Sequence, residues 1–182
     1  MSYIATPAEI EDAPEASRPT LRSVEKQLGQ VPNMFRLVAT SPAALDAYVG
    51  LSGALGKGKL SAATRERIAL AVAQANSCDY CLAAHSFIGK NLAKLSDEEI
   101  SASRNGTSSD TKAAAAVRLA KRLAEARGAV DKADLDAVRA AGYDDAEIVE
   151  IIAHVALNTL TNYVNVALGT ELDFPAAGPL AA

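Results

Sequence analysis

A repeated pairing of helix-starting with helix-stopping residues constrains this chain more than any other feature. Ser41-Pro42 places a capping side chain ahead of a proline at a first helical position. Ser61, Ser96, Ser109 or Asp110, Asp131 and Asp144 offer further caps, and Ser96 with Glu99 and Asp144 with Glu147 have capping-box spacing. Gly29, Gly56, Gly106, Gly128, Gly142 and Gly169 close the intervals. Those intervals are rich in alanine and contain no run of alternating β-branched residues, which excludes a sheet protein. The pattern predicts an all-α fold of about seven to nine helices. Helices are expected at about 21–28, 34–39, 42–55, 62–76, 78–92, 97–105, 110–128, 131–142 and 145–168. At 182 residues the chain can bury one substantial core. The expected organisation is an irregular, proline-bearing arm over 1–19, one helical domain over 20–175, and a flexible tail over 176–182.

Net charge is −4 and the basic residues are scattered, which argues against a nucleic-acid partner, because phosphate binding needs concentrated positive charge. Met1 to Pro7 has no basic segment leading into an apolar core, and the apolar segments are interrupted by charges or amides short of a span. The expectation is a cytoplasmic protein with no membrane partner. In that compartment a Cys-x-x-Cys pair is more often catalytic or metal-binding than structural. So short a loop gains only about 2 kcal/mol from closure in the chain-entropy model.

Both cysteines and one of the two histidines lie in the stretch from Glu66 to His85. A fresh helix is expected at Cys78, after a break at Asn76-Ser77. At about 100° per residue, Cys81 and His85 then lie about 40° apart around the axis, and Cys78 about 20° from His85. One stripe would carry two thiols and an imidazole. A thiol reacts as its thiolate, so a reactive pair needs a group to remove a proton. The helix start favours ionisation of Cys78 and, more weakly, Cys81. His85, one turn below Cys81, can take its proton, and Glu66 can orient the imidazole if its helix packs alongside. A second cysteine can convert a sulfenic acid into a Cys78–Cys81 disulfide before further oxidation.

Plainer readings accompany each residue. The cysteines could be buried core thiols, or could join His85 and His154 in a two-cysteine, two-histidine zinc site. Glu66 in Arg65-Glu66-Arg67 would ordinarily be a solvated charge, and Tyr80 either covers the site or packs. Glu147, Glu150, His154, Asn158, Asn162 and Asn165 recur at steps of three or four along an otherwise apolar helix. Such a stripe must face water, a cavity or another subunit.

The string E-x11-C-x-x-C-x3-H, from Glu66 through Cys78 and Cys81 to His85, resembles the signature of the AhpD-like alkylhydroperoxidases in the carboxymuconolactone decarboxylase superfamily. Leu28-Gly29-Gln30-Val31-Pro32-Asn33-Met34-Phe35, Asn158 to Tyr163 and Gly169 to Pro175 look like the entry, last helix and exit of its peroxidase-related members. The resemblance implies a single-domain AhpD-like helical fold that assembles into homo-oligomers. It implies peroxide reduction without haem, flavin or metal, and recycling by an external dithiol, thioredoxin-like or a lipoyl-bearing adaptor. By position, Cys81 would attack the peroxide, Cys78 would resolve, His85 would act as base, and Glu66 would complete the relay. Tyr80 departs from members that carry a second histidine between the cysteines. The superfamily's decarboxylases generally lack the Cys-x-x-Cys, so lactone decarboxylation is not expected. The alternative activity is a redox switch or sensor with little turnover.

Overall fold

The computed structural model describes residues 2–180. Among them are nine α-helices: α1 (Arg18–Leu28), α2 (Asn33–Val38), α3 (Pro42–Leu55), α4 (Ala62–Ala75), α5 (Asp79–Asn91), α6 (Asp97–Arg104), α7 (Thr111–Glu125), α8 (Lys132–Ala140) and α9 (Asp145–Leu168). Each expected cap from Ser41 onward is engaged. Ser41, Ser61, Ser96, Asp110, Asp131 and Asp144 accept from the backbone N–H three residues on. Asp110, not Ser109, caps α7.

Two elements differ from expectation. The arm contains short 3-10 turns at Ile10–Asp12 and Glu15–Ser17, and α1 begins at Arg18, ahead of the expected Leu21. Pro19 falls in the first turn, where its missing N–H leaves no bond unmade. The second difference is at Ser96. Its hydroxyl caps α6, but Glu99 does not reach back to complete a box. Glu99 is buried and accepts from Arg67 Nε at 2.7 Å, from the hydroxyls of Ser108 and Ser109, and from Ser109 N. It ties α6 and the loop before α7 to α4.

The core is arranged around α4. From Ile68 to Ala73 six successive residues are buried, so this helix is enclosed on every side. Ala69, Ala71 and Ala73 make that feasible, because small side chains let neighbours approach from several directions. α5, α6, α7 and α9 all pack on α4. One cluster joins Ile68 and Val72 to Leu119, Val138, Ile151 and Val155 from α7, α8 and α9. A second gathers Met34, Ala73, Tyr80 and Leu82 around both cysteines. α9 has the length and composition of a membrane-crossing helix, and 44% of its most apolar window is buried within the protein.

The tail folds back along the thiol cluster. Asp173 accepts from Asn33 N at 2.6 Å, Arg104 Nη1 donates to Gly178 O at 2.8 Å, and Phe174 meets Tyr80 edge-on at 5.9 Å. Its last two residues, 181 and 182, and Met1 of the arm lie outside the described residues.

The Glu99 junction generates a stability prediction. Burial alone would raise this carboxyl, but hydrogen bonds from Ser108 and Ser109 and the Arg67 contact hold it at about 2, below its ordinary 4.5. Its contribution is therefore present above pH 4.5 and lost as pH falls through about 2. Glu99→Ala leaves Arg67 without its carboxylate, so urea unfolding at pH 7 is expected to show a loss of about 3 kcal/mol. A loss under about 1 kcal/mol, as for an exposed ion pair, would contradict this role.

Candidate functional site

Residues 76–78 alone separate α4 from α5, so the two helices run antiparallel and side by side. Ser77 takes a left-handed backbone (φ 53°) to make this turn, and Cys78 is the N-cap of α5. Its Sγ accepts from Cys81 N at 3.3 Å, the place a serine or aspartate oxygen fills at other helix starts. Cys81 thus sits in the first turn of α5, where the helix dipole favours negative charge. Both cysteines are free thiols and both are buried, Cys78 at 0% exposure and Cys81 at 3%.

One turn beyond Cys81, His85 donates from Nδ1 to Glu66 Oε2 at 2.8 Å. The antiparallel hairpin brings this pair together, so Glu66 turns inward between two arginines and is not a solvated charge. Burial disfavours a charged imidazole, but Glu66's negative charge and hydrogen bond, with Cys81 adding to them, raise His85 above its ordinary value. Among the described residues no direct hydrogen bond links the imidazole to a thiol; His85 acts on Cys81 through charge.

The two thiols are pushed apart. Cys81 is lowered to about 6, first by the hydrogen bond from Cys78, against the opposing effect of burial, with His85, Asn165 and Asn162 assisting. Cys78 moves the other way, raised by its hydrogen bond to Cys81 and by burial. Cys81 therefore ionises first while Cys78 keeps its proton. The helix-start argument alone favours Cys78; the partners of the sulfur reverse that preference.

The polar stripe of α9 turns inward, a placement its spacing left open. Glu150 accepts from Lys59 N at 2.8 Å and Leu60 N at 3.2 Å, against Gly58, where a Cβ would collide with the carboxylate at 2.5 Å. Asn162 accepts from Asn76 Nδ2 at 2.9 Å, and Asn165 Nδ2 donates to Cys81 Sγ at 3.2 Å. The sequence signal for these site residues was the three-and-four spacing itself. His154 is buried beside them, and burial, with Arg65 nearby, lowers its pKa and keeps it neutral.

A cavity of about 210 Å³ opens onto Tyr48, Arg65, Glu66, His85 and His154. Neither cysteine lines it, so the imidazole and carboxylate meet the cavity while the thiols are withdrawn from it. Tyr48 is raised to about 12, chiefly by burial and also by the charges of Cys81 and Glu66, and stays protonated. Tyr80 points away from this arrangement: its Oη accepts from Met34 N at 3.2 Å and its ring packs on Phe174. It fastens α2 and the tail to the thiol turn. The four candidate zinc ligands do not converge; among the described residues no group of three or more His, Cys, Asp or Glu side chains is placed to hold a metal ion.

The model of the carboxymuconolactone decarboxylase family matches residues 42–126, a segment that contains Glu66, Cys78, Cys81 and His85 and stops short of α9. No curated protein matches the sequence. Among solved structures, the chain is similar to an alkylhydroperoxidase AhpD core, a peroxidase-related protein from Ralstonia eutropha JMP134 (TM-score 0.84, 27% identity, covering 94% of this chain and 92% of that one). A peroxidase-related protein from Silicibacter sp. TM1040 superposes with TM-score 0.80 at 23% identity, over 97% and 92% of the two chains. The debrominase Bmp8 does so with TM-score 0.78 at 24% identity, over 93% and 92%. The last two bear on the fold alone. Residues 42–126 thus match the carboxymuconolactone decarboxylase family, and the helical architecture of the chain is similar to that of an AhpD core.

Proposed function

We propose that this chain is a thiol peroxidase that reduces hydrogen peroxide or small organic hydroperoxides and is recycled by an external dithiol. The observation that carries the reading is the division of charge across the cysteine pair, with Cys81 lowered and Cys78 raised beside the Glu66–His85 contact. The Cys81 thiolate attacks the terminal peroxide oxygen, the O–O bond breaks, and the departing alkoxide or hydroxide takes the His85 proton. A peroxide entering from the cavity supplies the bridge between imidazole and sulfur that the protein lacks. Cys78, still protonated, then displaces water from the Cys81 sulfenic acid and forms the disulfide. Two thiols of a thioredoxin-like or lipoyl-bearing reductant return the pair to the starting state and leave as a disulfide. No haem, flavin or metal enters this scheme, and a cytoplasmic location, where the pair is reduced again between turnovers, belongs to the same proposal.

A second reading, a redox switch with little turnover, is favoured by the burial of Cys78 beneath the cluster that Phe174 joins. A bulky reductant reaches that sulfur only if the residues packed over it move. A coupled assay with several dithiols separates the readings. Peroxidase action predicts multiple turnovers in the parent, none in Cys81→Ser, and a single turnover leaving a trapped sulfenic acid in Cys78→Ser. Parent-like consumption by Cys81→Ser would end the peroxidase reading, and one turnover by the parent with every reductant would favour the switch.

We also propose that the chain self-associates through the outer face of α9. Val149, Ile152, Leu160, Tyr163 and Val166 are exposed there. The only charge from position 149 to the end of α9 is Glu150, which is bound to the 59–60 loop, so a symmetric copy meets no like charge on this face. Light scattering is expected to give at least twice the 18.8 kDa chain mass, falling to one chain in Leu160→Glu/Tyr163→Glu. A parent that scatters as a single chain would refute it.

A further inference from the structure

The proposed chemistry needs one of two sulfurs, three residues apart at one helix start, to ionise first. On α5 itself the groups near them do not decide the matter cleanly. The backbone N–H of Cys81 donates to Cys78, which favours a charged Cys78, while His85 favours a charged Cys81. A further asymmetry comes from α9. Asn165, 3% exposed, donates its amide to Cys81 Sγ at 3.2 Å. Asn162 is fully buried, and the bond from Asn76 Nδ2 to its Oδ1 fixes which end of that amide faces which way. Among the described residues its Nδ2 has no hydrogen-bond partner. A buried donor without an acceptor is costly when the neighbouring sulfur is neutral and is relieved when that sulfur carries charge. Side-chain amides do not titrate, so they act equally at every pH.

We propose that Asn165, backed by Asn162 and Asn76, is a catalytic residue that makes Cys81, and not Cys78, the nucleophile by donating hydrogen bonds to its thiolate. Charged and titratable groups around Cys81 are Tyr48 from α3, Glu66 from α4, and Cys78, Asp79, Tyr80 and His85 at or within α5; Asp173 of the tail adjoins Tyr80. From α9 only the two amides reach the sulfur. Donors to the charged form of an acid lower its pKa, so their loss moves Cys81 ionisation to higher pH.

The inference rests on the peroxidase reading only for its effect on turnover; the charge on sulfur is measurable without peroxide. Thiolate ultraviolet absorbance is titrated in the reduced parent and in Asn165→Leu, which removes the donor and keeps the branched shape. The parent's first thiolate step is expected near pH 6. In Asn165→Leu it is expected about one unit higher, which is about tenfold less thiolate below the step. Peroxide consumption should fall about fivefold at pH 6, where the parent is half ionised, and recover at pH 9. Asn76→Ala, which frees Asn162, should give a smaller shift in the same direction and serves if Asn165→Leu does not fold. An unmoved first step in the folded variants, or a loss of activity equal at every pH, overturns the inference. A shifted step in a protein that consumes no peroxide would defeat the peroxidase reading and leave this one standing.

Discussion

A carboxylate and an imidazole 2.8 Å apart, one on each of two adjacent helices, set the electrostatics around the thiol pair. Glu66 raises the proton affinity of His85, and the resulting positive charge lies one helical turn from a sulfur that needs a counter-charge. The two shifts run in opposite directions. Cys81 is deprotonated above about pH 6, and His85 keeps its proton past its ordinary 6.5, so thiolate and imidazolium coexist in a window that starts near pH 6. Without Glu66, burial would favour neutral imidazole, and the thiolate would lose its nearest positive charge.

That contact depends on the packing of α4. A three-residue turn forces α5 back along it, and the alanines of α4 let α5, α6, α7 and α9 close around it. α9 then passes the site with its polar side inward. Its charges and amides are used in order along the helix: Glu150 on the loop before α4, His154 beside the cavity, Asn162 on the α4–α5 turn, and Asn165 on the sulfur. A helix that would otherwise be a plain core element thereby carries the hydrogen bonds that the thiol turn lacks.

Features governed by local backbone geometry were legible in the sequence. Ser41, Ser61, Asp131 and Asp144 cap helices because an N-cap bond spans three residues and needs no distant partner. The shared stripe of Cys81 and His85 follows from helical rotation in the same way. Glu99 was read as half of a capping box because its spacing allows one, yet the partly buried Arg67, thirty-two residues away, and two serines outcompete the local partner. Spacing alone showed neither the inward turn of Glu66, which only the family resemblance implied, nor the inward face of the α9 stripe. Both are fixed by which helix lies alongside, and a sequence period gives the stripe without its neighbour. The order in which the two sulfurs ionise depends on the Cys78–Cys81 hydrogen bond and on His85, and is reinforced by amides from α9, eighty-four residues away in the case of Asn165.

The central claim is that one sulfur, at position 81, is ionised near neutral pH and its neighbour is not. Limited alkylation of the reduced protein, with peptide mapping of the label across pH, measures this directly. The account predicts label on Cys81 first, with a rate that climbs through about pH 6. Label on Cys78 first, or equal labelling of both only as pH approaches the ordinary thiol value of about 8.5, would contradict it.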